Sequence, residues 1–149
     1  MKKNVWIALC MLAGLFLTAC NSNEPQFHKA VVYMEVAKNE WKFDKDLKQF
    51  YVRFNVPELT AGVFNYGNYS LHREYNTGTA DVYQVALPQS LYLWEEVTNA
   101  DSTTTIVYYQ QLVDYRIGPG YVEIQVTNSD YFYGDYTPDA MLFHLQLTY

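Results

Sequence analysis

The hydrophobic pattern of this chain alternates, with apolar residues at every second position over most of its length. Successive side chains of a half-buried β-strand point to opposite faces, so this alternation predicts strands rather than helices. The clearest example closes the chain, where the alternating apolar positions are Met141, Phe143, Leu145, Leu147 and Tyr149. This pattern places Phe143, Leu145 and Leu147 in the core, and it places His144 and Gln146 on the outer face of the strand.

Further alternating segments are separated by turn residues such as Pro57, Pro88 and Gly118-Pro119-Gly120. The eight predicted strands are 27–37, 50–56, 69–75, 81–87, 91–97, 103–117, 122–126 and 141–149. The pattern contains no amphipathic helix of about ten residues. We therefore expect an all-β fold, an antiparallel two-sheet β-sandwich of about eight strands, formed by a single domain over residues 27–149.

Local sequence signals refine this picture at three places. Residues 38–48 are charged and lack alternation, which predicts a loop over one end of the sandwich in which Trp41 is buried. Thr60 is expected to cap a single helical turn, and Gly67 to end that turn in the left-handed conformation. The sixth predicted strand is long, so a bulge is expected near Gln110-Gln111, where two amides interrupt the apolar run.

The N-terminus has the features of an export signal. Residues 1–19 combine a basic start with an apolar run that is too short to span a bilayer as a helix. They end in Leu17-Thr18-Ala19-Cys20, which resembles the bacterial lipoprotein signal, in which the cysteine is acylated and becomes the first residue. An ordinary secreted protein is the alternative. The lipoprotein interpretation predicts a signal peptide over residues 1–19, lipid on Cys20, and a short tether over residues 20–26.

Composition narrows the classes of function. Removal of residues 1–19 takes away two of the ten basic residues and none of the sixteen acidic ones, so the formal charge changes from −6 to −8. A chain this acidic repels the phosphate backbone of a nucleic acid, which excludes nucleic-acid binding. The same charge opposes adsorption to an anionic membrane, so the lipid must attach the chain to the membrane. Cys10 and Cys20 are the only cysteines, so the mature domain has no internal disulfide, no thiolate metal ligand and no cysteine nucleophile.

Few groups have the spacing of a catalytic or metal-binding motif. The histidines His28, His72 and His144 lie in no metal-ligand spacing and beside no nucleophile elbow, so each is interpreted as structural. The acids considered for calcium binding or for a glycosidase pair are Asp44, Asp46, Asp130, Asp135, Asp139, Glu74, Glu95, Glu96 and Glu123. None has the spacing of a known calcium loop, and spacing alone brings no two carboxyls across a cleft. The sequence therefore predicts no catalytic residue, no metal site and no cofactor.

Several positions resemble a family of uncharacterised small β-sandwich lipoproteins from Bacteroides-type bacteria. The positions that carry the resemblance, spread over most of the mature chain, are Trp41, Val56-Pro57-Glu58-Leu59-Thr60, Gly67, Tyr69 to His72, Leu87-Pro88, Val122-Glu123-Ile124 and Phe143. The family often carries valine and tyrosine where this chain has Tyr69 and His72. The resemblance implies a lipobox followed by one small β domain, and it supplies no activity and no functional residue.

Two stretches carry the strongest functional signals. Residues 131–136 hold four aromatic residues beside acids, a composition that stacks on sugars or seats a protein partner. Because alternate side chains of an extended segment face opposite ways, at least one or two of these rings should be exposed. The predicted ligand-binding residues are Tyr131, Tyr133 and Tyr136, and the alternative is that the rings close the end of the core. Ser102, within Asp-Ser-Thr in a predicted turn, resembles the O-glycosylation site that Bacteroides-type bacteria use on exported proteins.

These observations support two functional hypotheses from different classes. The first is a non-catalytic binding module for a glycan or protein ligand, held by its lipid in the cell envelope, at the periplasmic or external side of the outer membrane. The second is a structural subunit of an envelope or surface assembly, joined through an edge strand. An exposed cluster of rings favours the binding module. A long unpaired edge strand, expected to be the first or the last, favours the subunit.

Overall fold

Two antiparallel β-sheets pack against each other to form a sandwich. The computed structural model describes residues 28–129 and 136–149, which form one sheet of four strands and one of five. The prediction of an all-β, two-sheet sandwich is therefore confirmed. The predicted signal peptide over residues 1–19, the lipid-bearing Cys20 and the tether over residues 20–26 lie outside the described residues.

The four-stranded sheet contains the first and the last strands of the chain. Its strands are β1 (Lys29–Val36), β4 (Asn68–Tyr75), β5 (Tyr83–Ala86) and β9 (Met141–Thr148). Their order is β1-β9-β4-β5, and all neighbours are antiparallel. β1 therefore lies at an edge, as expected for the first strand. An edge position for the last strand is wrong, because β9 lies between β1 and β4.

The five-stranded sheet contains one strand more than the sequence predicts. Its strands are β2 (Lys42–Asp44), β3 (Gln49–Asn55), β6 (Gln89–Thr98), β7 (Thr104–Gly118) and β8 (Tyr121–Asn128). Their order is β2-β3-β8-β7-β6. The predicted loop over residues 38–48 is wrong at β2, because an edge strand of three residues is too short to show alternation. Trp41 is 8% exposed and its Nε1 donates to the Asp139 carbonyl at 3.2 Å, so its predicted burial is confirmed.

The core lies between the inner faces of the two sheets. Its most completely buried apolar residues, each 1% exposed or less, are Val36, Val56, Leu59, Leu71, Val113, Val122, Ile124, Val126, Phe143, Leu145 and Leu147. The predicted core positions Phe143, Leu145 and Leu147 are thereby confirmed. β8 and β9 supply six of these side chains, because each strand has a neighbour on both sides and the opposite sheet above it.

The outer face of β9 is less exposed than the alternation predicts. Gln146 is exposed as expected, but His144 is only 6% exposed, so its predicted exposure is wrong. His144 pairs with Tyr33 on β1 and with His72 on β4. The ring of Tyr33 meets it edge-on at 4.5 Å between centroids. A central strand exposes its outer face only where its neighbours carry short side chains, and here Tyr33 covers the position.

A single helix connects β3 to β4. Helix α1 (Ala61–Tyr66) begins as predicted, because the Thr60 hydroxyl accepts from the Val63 N–H at 3.3 Å. The left-handed end predicted at Gly67 is wrong, since its φ is −82° and its backbone is extended. A Cβ there would lie 2.7 Å from the Val63 carbonyl oxygen, so close approach of the backbone accounts for the glycine. No helix within residues 28–129 and 136–149 is long and apolar enough to cross a membrane.

β7 is a continuous strand of 15 residues, and the bulge predicted at Gln110-Gln111 is absent from its pairing. Its register with β6 and with β8 runs without a slipped residue. Gln111, which interrupts the apolar run, is nevertheless buried, at 3% exposure. Its amide donates to Asn128 at 3.3 Å and to the Tyr136 hydroxyl at 2.5 Å. A buried amide with partners fits inside a regular strand, so no bulge is needed.

Candidate functional site

The hairpin of β6 and β7 extends past the end of β8. The last residue of β8, Asn128, pairs with Gln111. Ser129 then donates from its N–H to the Gln110 carbonyl at 2.8 Å. Beyond that point, β7 pairs with β6 alone among the described strands. We call residues 91–110 the arm, a two-stranded extension of the five-stranded sheet.

One face of the arm displays exposed aromatic rings. Tyr92, Trp94 and Tyr108 are 86%, 61% and 75% exposed, and we call these three residues the aromatic face. Trp94 lies directly opposite Tyr108 across the hairpin, and Tyr92 lies opposite Gln110. Tyr92 and Trp94 are two residues apart on β6, so their Cα atoms are separated by about 7 Å along the strand. A depression of about 390 Å³ is lined by the three rings together with Leu93 and Tyr109.

Apolar and polar side chains alternate around the aromatic face. Ile106 and Leu112, on the same side of β7, are 51% and 40% exposed and extend the apolar surface in both directions. The Gln110 amide donates to the Ser90 hydroxyl across the strands. Glu96 lies opposite Ile106 toward the tip of the hairpin. The result is a contiguous exposed apolar patch bordered by hydrogen-bonding groups, a surface that soluble proteins usually keep for binding.

The arm carries negative charge and no positive charge. Residues 89–115 contain no lysine or arginine, whereas their acids are Glu95, Glu96, Asp101 and Asp114. Glu95 and Glu96 follow Trp94 directly, one on each face of the strand. The potential over the aromatic face is therefore negative, and this disfavours ligands rich in sulfate, phosphate or carboxylate groups.

The tip of the arm presents the candidate modification site. Asn99 donates from its N–H to the Thr103 carbonyl at 2.8 Å, which closes the turn. The Thr103 hydroxyl and N–H donate to Asp101 at 2.6 and 3.0 Å, and these bonds lower the pKa of Asp101. Ser102 is exposed, with a φ of 64°, at the apex. Exposure of Ser102 is compatible with glycosylation, which stays a prediction.

The aromatic segment that the sequence singles out is described at one ring only. Tyr131 and Tyr133 lie outside the described residues. Tyr136 is half-buried, its ring meets Phe50 edge-on at 5.8 Å between centroids, and its hydroxyl accepts from the Gln111 amide. Burial raises the pKa of Tyr136. At this position the ring closes the end of the core, as the alternative interpretation of the segment expects.

The histidines and acids considered for catalysis or metal binding form no such site among residues 28–129 and 136–149. His144 Nδ1 lies 2.7 Å from the Gln84 amide, and Glu74 Oε2 lies 2.9 Å from His144 Nε2 without the alignment of a hydrogen bond. Glu74 and Glu123 point from the outer faces of opposite sheets, so the sandwich separates them. No group of three or more metal-ligating side chains is found in the described part of the chain.

Glu123 instead forms an ion pair on the outer face of the five-stranded sheet. Arg53 donates to its carboxylate from Nε at 3.0 Å and from Nη2 at 2.7 Å, and the Gln125 amide donates at 2.8 Å. Burial alone would raise the pKa of Glu123, but the hydrogen bonds from Gln125 and Arg53 outweigh it and lower the pKa. The ring of Tyr121 stacks on the Arg53 guanidinium at 4.6 Å. This pair is a structural contact, since both carboxylate oxygens of Glu123 already accept hydrogen bonds.

Comparison with family models, with curated proteins and with solved structures finds no match to this chain. The resemblance to the small lipoprotein family therefore stays a prediction based on the residues quoted for it. The sequence shows the alternation of Tyr92, Trp94 and Glu96 with leucines, but this signal alone does not reveal the aromatic face. The missing information is that β7 continues past the last residue of β8, so that among the described strands this part of β7 pairs with β6 alone.

Proposed function

We propose that the chain is a lipid-anchored binding module of the bacterial cell envelope whose aromatic face binds a neutral glycan. The observation that carries this proposal is the exposure of Tyr92, Trp94 and Tyr108 on one side of a two-stranded arm. Large exposed rings in one patch are uncommon on soluble proteins, and they mark surfaces that bind a ligand.

The chemistry of the aromatic face suits a sugar. The face of an aromatic ring carries negative potential, which attracts the polarised C–H groups of a pyranose ring. The hydroxyls of Tyr92 and Tyr108 and the amide of Gln110 offer donors and acceptors for sugar hydroxyls at the rim of the rings. Two rings in line along β6 provide neighbouring platforms, so a chain of sugars fits this surface better than a single unit.

The charge of the arm defines the class of glycan. Glu96 lies on the same face of β6 as Tyr92 and Trp94, Glu95 lies on the opposite face, and no lysine or arginine occurs between residues 89 and 115. A uronate-rich or sulfated polysaccharide would be repelled by these acids, whereas an uncharged one would not. The negative potential also supports the prediction that the domain is no nucleic-acid binder.

The location of the binding module rests on the N-terminal signal. Cys20 is proposed to carry the lipid, and residues 20–26 would then hold the sandwich close to the outer membrane. A Cys20→Ala variant should lose incorporation of labelled palmitate and leave the membrane fraction. Retention of label and of membrane attachment by that variant would contradict the anchor while leaving the glycan proposal untouched.

The glycan proposal is tested by affinity electrophoresis of the full-length protein in detergent, through gels that contain xylan, mannan, β-glucan or, as the acidic comparison, alginate. Retardation by at least one neutral polysaccharide and none by alginate is expected. Changing Tyr92 and Trp94 to alanine should weaken retention about 30-fold or more, because loss of such an anchor costs about 2 kcal/mol.

Tyr66→Ala is the matched control for that experiment. Tyr66 is 90% exposed but lies on α1, away from the arm, so its loss should leave retention unchanged. Equal retention of the Tyr92/Trp94 double variant and the parent would contradict the proposed site. The absence of retention in every neutral gel would contradict a neutral glycan as the ligand.

One observation favours the second candidate function, a subunit joined by strand addition. β6 is a strand of ten residues at the edge of the five-stranded sheet, with no strand beyond it among the described residues. A long edge of this kind can accept a strand from another protein. Co-purification from native membranes of a stoichiometric protein partner, unaffected by the Tyr92/Trp94 change, would favour the subunit over the binding module.

A further inference from the structure

His28, Tyr149, helix α1 and the turn between β7 and β8 lie together at one end of the sandwich. The His28 N–H donates to the Tyr149 carbonyl at 2.6 Å, and the Tyr149 N–H donates to the His28 carbonyl at 3.0 Å. β4, which follows α1, begins beside Thr148. The Gly120 N–H, in the turn, donates to the Leu59 carbonyl just before α1 at 2.7 Å. We call this region the tether end, and it consists of His28 with residues 56–69, 118–121 and 147–149.

The tether end and the arm lie at opposite ends of β7. At one end of this strand, Gly118 pairs with Tyr121 in the turn that belongs to the tether end. At the other end, Thr104 pairs with Thr98 near the tip of the arm. The strand has 15 residues, so it spans about 45 Å at about 3.3 Å per residue. A surface that contacts the tether end therefore leaves the tip of the arm far from it.

The surface of the tether end is almost free of charged side chains. Glu58 is the only Asp, Glu, Lys or Arg among its residues. Pro57 and Pro119 are exposed there, and the largest exposed side chains are Tyr66 and Tyr149, at 90% and 44% exposure. A tyrosine at a membrane surface places its ring among the lipids and keeps its hydroxyl in water. The composition of the tether end therefore suits the interface between a bilayer and water.

The lipid proposed on Cys20 would hold the domain by the tether end. His28 belongs to this end and lies eight residues after Cys20. A chain of that length spans at most about 28 Å, so the lipid would lie within that distance of His28. This reach is shorter than β7, and the tether end is the part of the domain that such a lipid keeps closest to the bilayer.

We propose that the tether end lies on the headgroup layer of a lipid bilayer, with Tyr66 in the interface and the arm directed away from the membrane. This inference depends on the proposed lipid at Cys20, which brings the domain to the bilayer, whereas the tether end determines how the domain is oriented there. The mature chain is acidic, and anionic headgroups oppose the approach of a surface with a single acid less than that of the arm. In this orientation the aromatic face stays accessible to ligands outside the membrane.

The orientation is tested with the lipidated protein in vesicles of phosphatidylethanolamine and phosphatidylglycerol. Each sample carries a fluorophore on one introduced cysteine, which is specific because acylated Cys20 is the only other cysteine of the mature chain. Asn65→Cys marks the tether end and Ser102→Cys marks the tip of the arm, and both positions are exposed. Lipids with a nitroxide headgroup should quench the Asn65 fluorophore about threefold more than the Ser102 fluorophore, because quenching requires proximity to the headgroups.

Flotation of the protein with the vesicles distinguishes failure of the anchor from failure of the orientation. Protein that does not float would overturn the inference together with the proposed anchor. Protein that floats but is quenched equally at Asn65 and Ser102 would overturn the orientation alone. Protein that floats without quenching at Asn65 would also overturn it, and it would leave the tether end free for a protein partner.

Tyr66→Asp and Tyr108→Asp form a matched pair in the protein that is labelled at Asn65. Both changes replace an exposed ring by the same acid, one at the tether end and one on the arm. Tyr66→Asp should reduce quenching about twofold or more, because a carboxylate is unfavourable in the interface. Tyr108→Asp should leave quenching unchanged, and both variants should still float. Unchanged quenching in folded Tyr66→Asp would show that Tyr66 does not contact the bilayer.

Discussion

β9 and the arm carry the same alternation of side chains, yet their residues lie in opposite environments. Phe143, Leu145 and Leu147 of β9 are each 1% exposed or less, because β1 and β4 flank the strand and the second sheet covers its inner face. On the arm, Leu93 is half-buried and Tyr92 is 86% exposed. Alternation therefore predicts a strand, while the number of neighbours that a strand has determines how much of it is buried.

This difference separates side chains that stabilise the fold from side chains that remain exposed to solvent. The core between the sheets is held by burial of apolar area, which contributes about 25 cal/mol for each Å² removed from water. The arm leaves Trp94 and Tyr108 in solvent, so these rings add little to the free energy of unfolding. Side chains of this size that do not stabilise the fold are available for binding. The comparison predicts that the same substitution will have very different effects in the two regions.

The largest expected contrast is between Leu145→Asp and Tyr108→Asp. An unpaired carboxylate at Leu145 would be buried in the core, so the variant should lose more than about 4 kcal/mol and fail to fold. The same residue at the exposed position 108 should cost less than about 1 kcal/mol. Urea denaturation followed by circular dichroism measures both changes.

Gln146→Asp is the matched control on β9 itself, because this side chain points outward and is exposed. It should behave as Tyr108→Asp does and leave the domain folded. Similar urea midpoints for Leu145→Asp and Gln146→Asp would show that the register of β9 is wrong. A Tyr108→Asp variant that unfolds would show that the arm is part of the core.

The next contrast compares two tyrosines, Tyr136 at the end of the core and Tyr92 on the arm. Tyr136→Ala should lose about 2–3 kcal/mol, because the change removes a packed ring and leaves the buried Gln111 amide without one of its acceptors. Tyr136→Phe keeps the ring and should lose about 1 kcal/mol. Tyr92→Ala should lose less than either. Thermal unfolding of the three variants measures the order, and a larger loss for Tyr92→Ala would contradict it.

Much of the fold could be predicted from the sequence, because alternation and turn residues are local signals. The β-rich class, the core positions of β9 and the Thr60 cap all depend on residues close in the chain. The features that the sequence predicts wrongly depend on contacts with residues distant in the chain. His144 is covered by Tyr33, which lies more than a hundred residues earlier, and Gln111 finds its partner in Tyr136. No local pattern contains those pairings.

The candidate site was harder to predict for the same reason. The sequence favours residues 131–136, where four aromatic residues lie within six positions. Tyr92, Trp94 and Tyr108 are spread over 17 residues, and they form one face only after the hairpin has formed. Their exposure depends on β8 ending at Asn128 while β7 continues. A length mismatch between neighbouring strands is visible only once the pairing is known.

The smallest expected effect on stability concerns two acids, Glu123 on the outer face of the five-stranded sheet and Asp101 at the tip of the arm. The pKa of Glu123 is lowered in the folded chain, because the bonds from Gln125 and Arg53 outweigh the effect of burial. As the pH falls below the ordinary glutamate value of about 4.3, the unfolded chain therefore takes up the proton first. The stability that Glu123 contributes is present above that pH and is lost as the pH falls through its folded pKa.

Glu123→Gln should consequently lower the free energy of unfolding by about 1–2 kcal/mol at pH 7 and by much less at pH 3. Arg53→Gln should cause a similar loss at pH 7, and the double variant should lose less than the sum, because one interaction is removed twice. Asp101 is fully exposed, so Asp101→Asn should change the melting temperature at pH 7 less than Glu123→Gln does. Urea denaturation between pH 3 and 7 distinguishes these cases. An equal loss of unfolding free energy from Glu123→Gln at pH 3 and at pH 7 would mean that the side chain acts through packing alone. The ion pair would then contribute nothing to the stability of the sandwich.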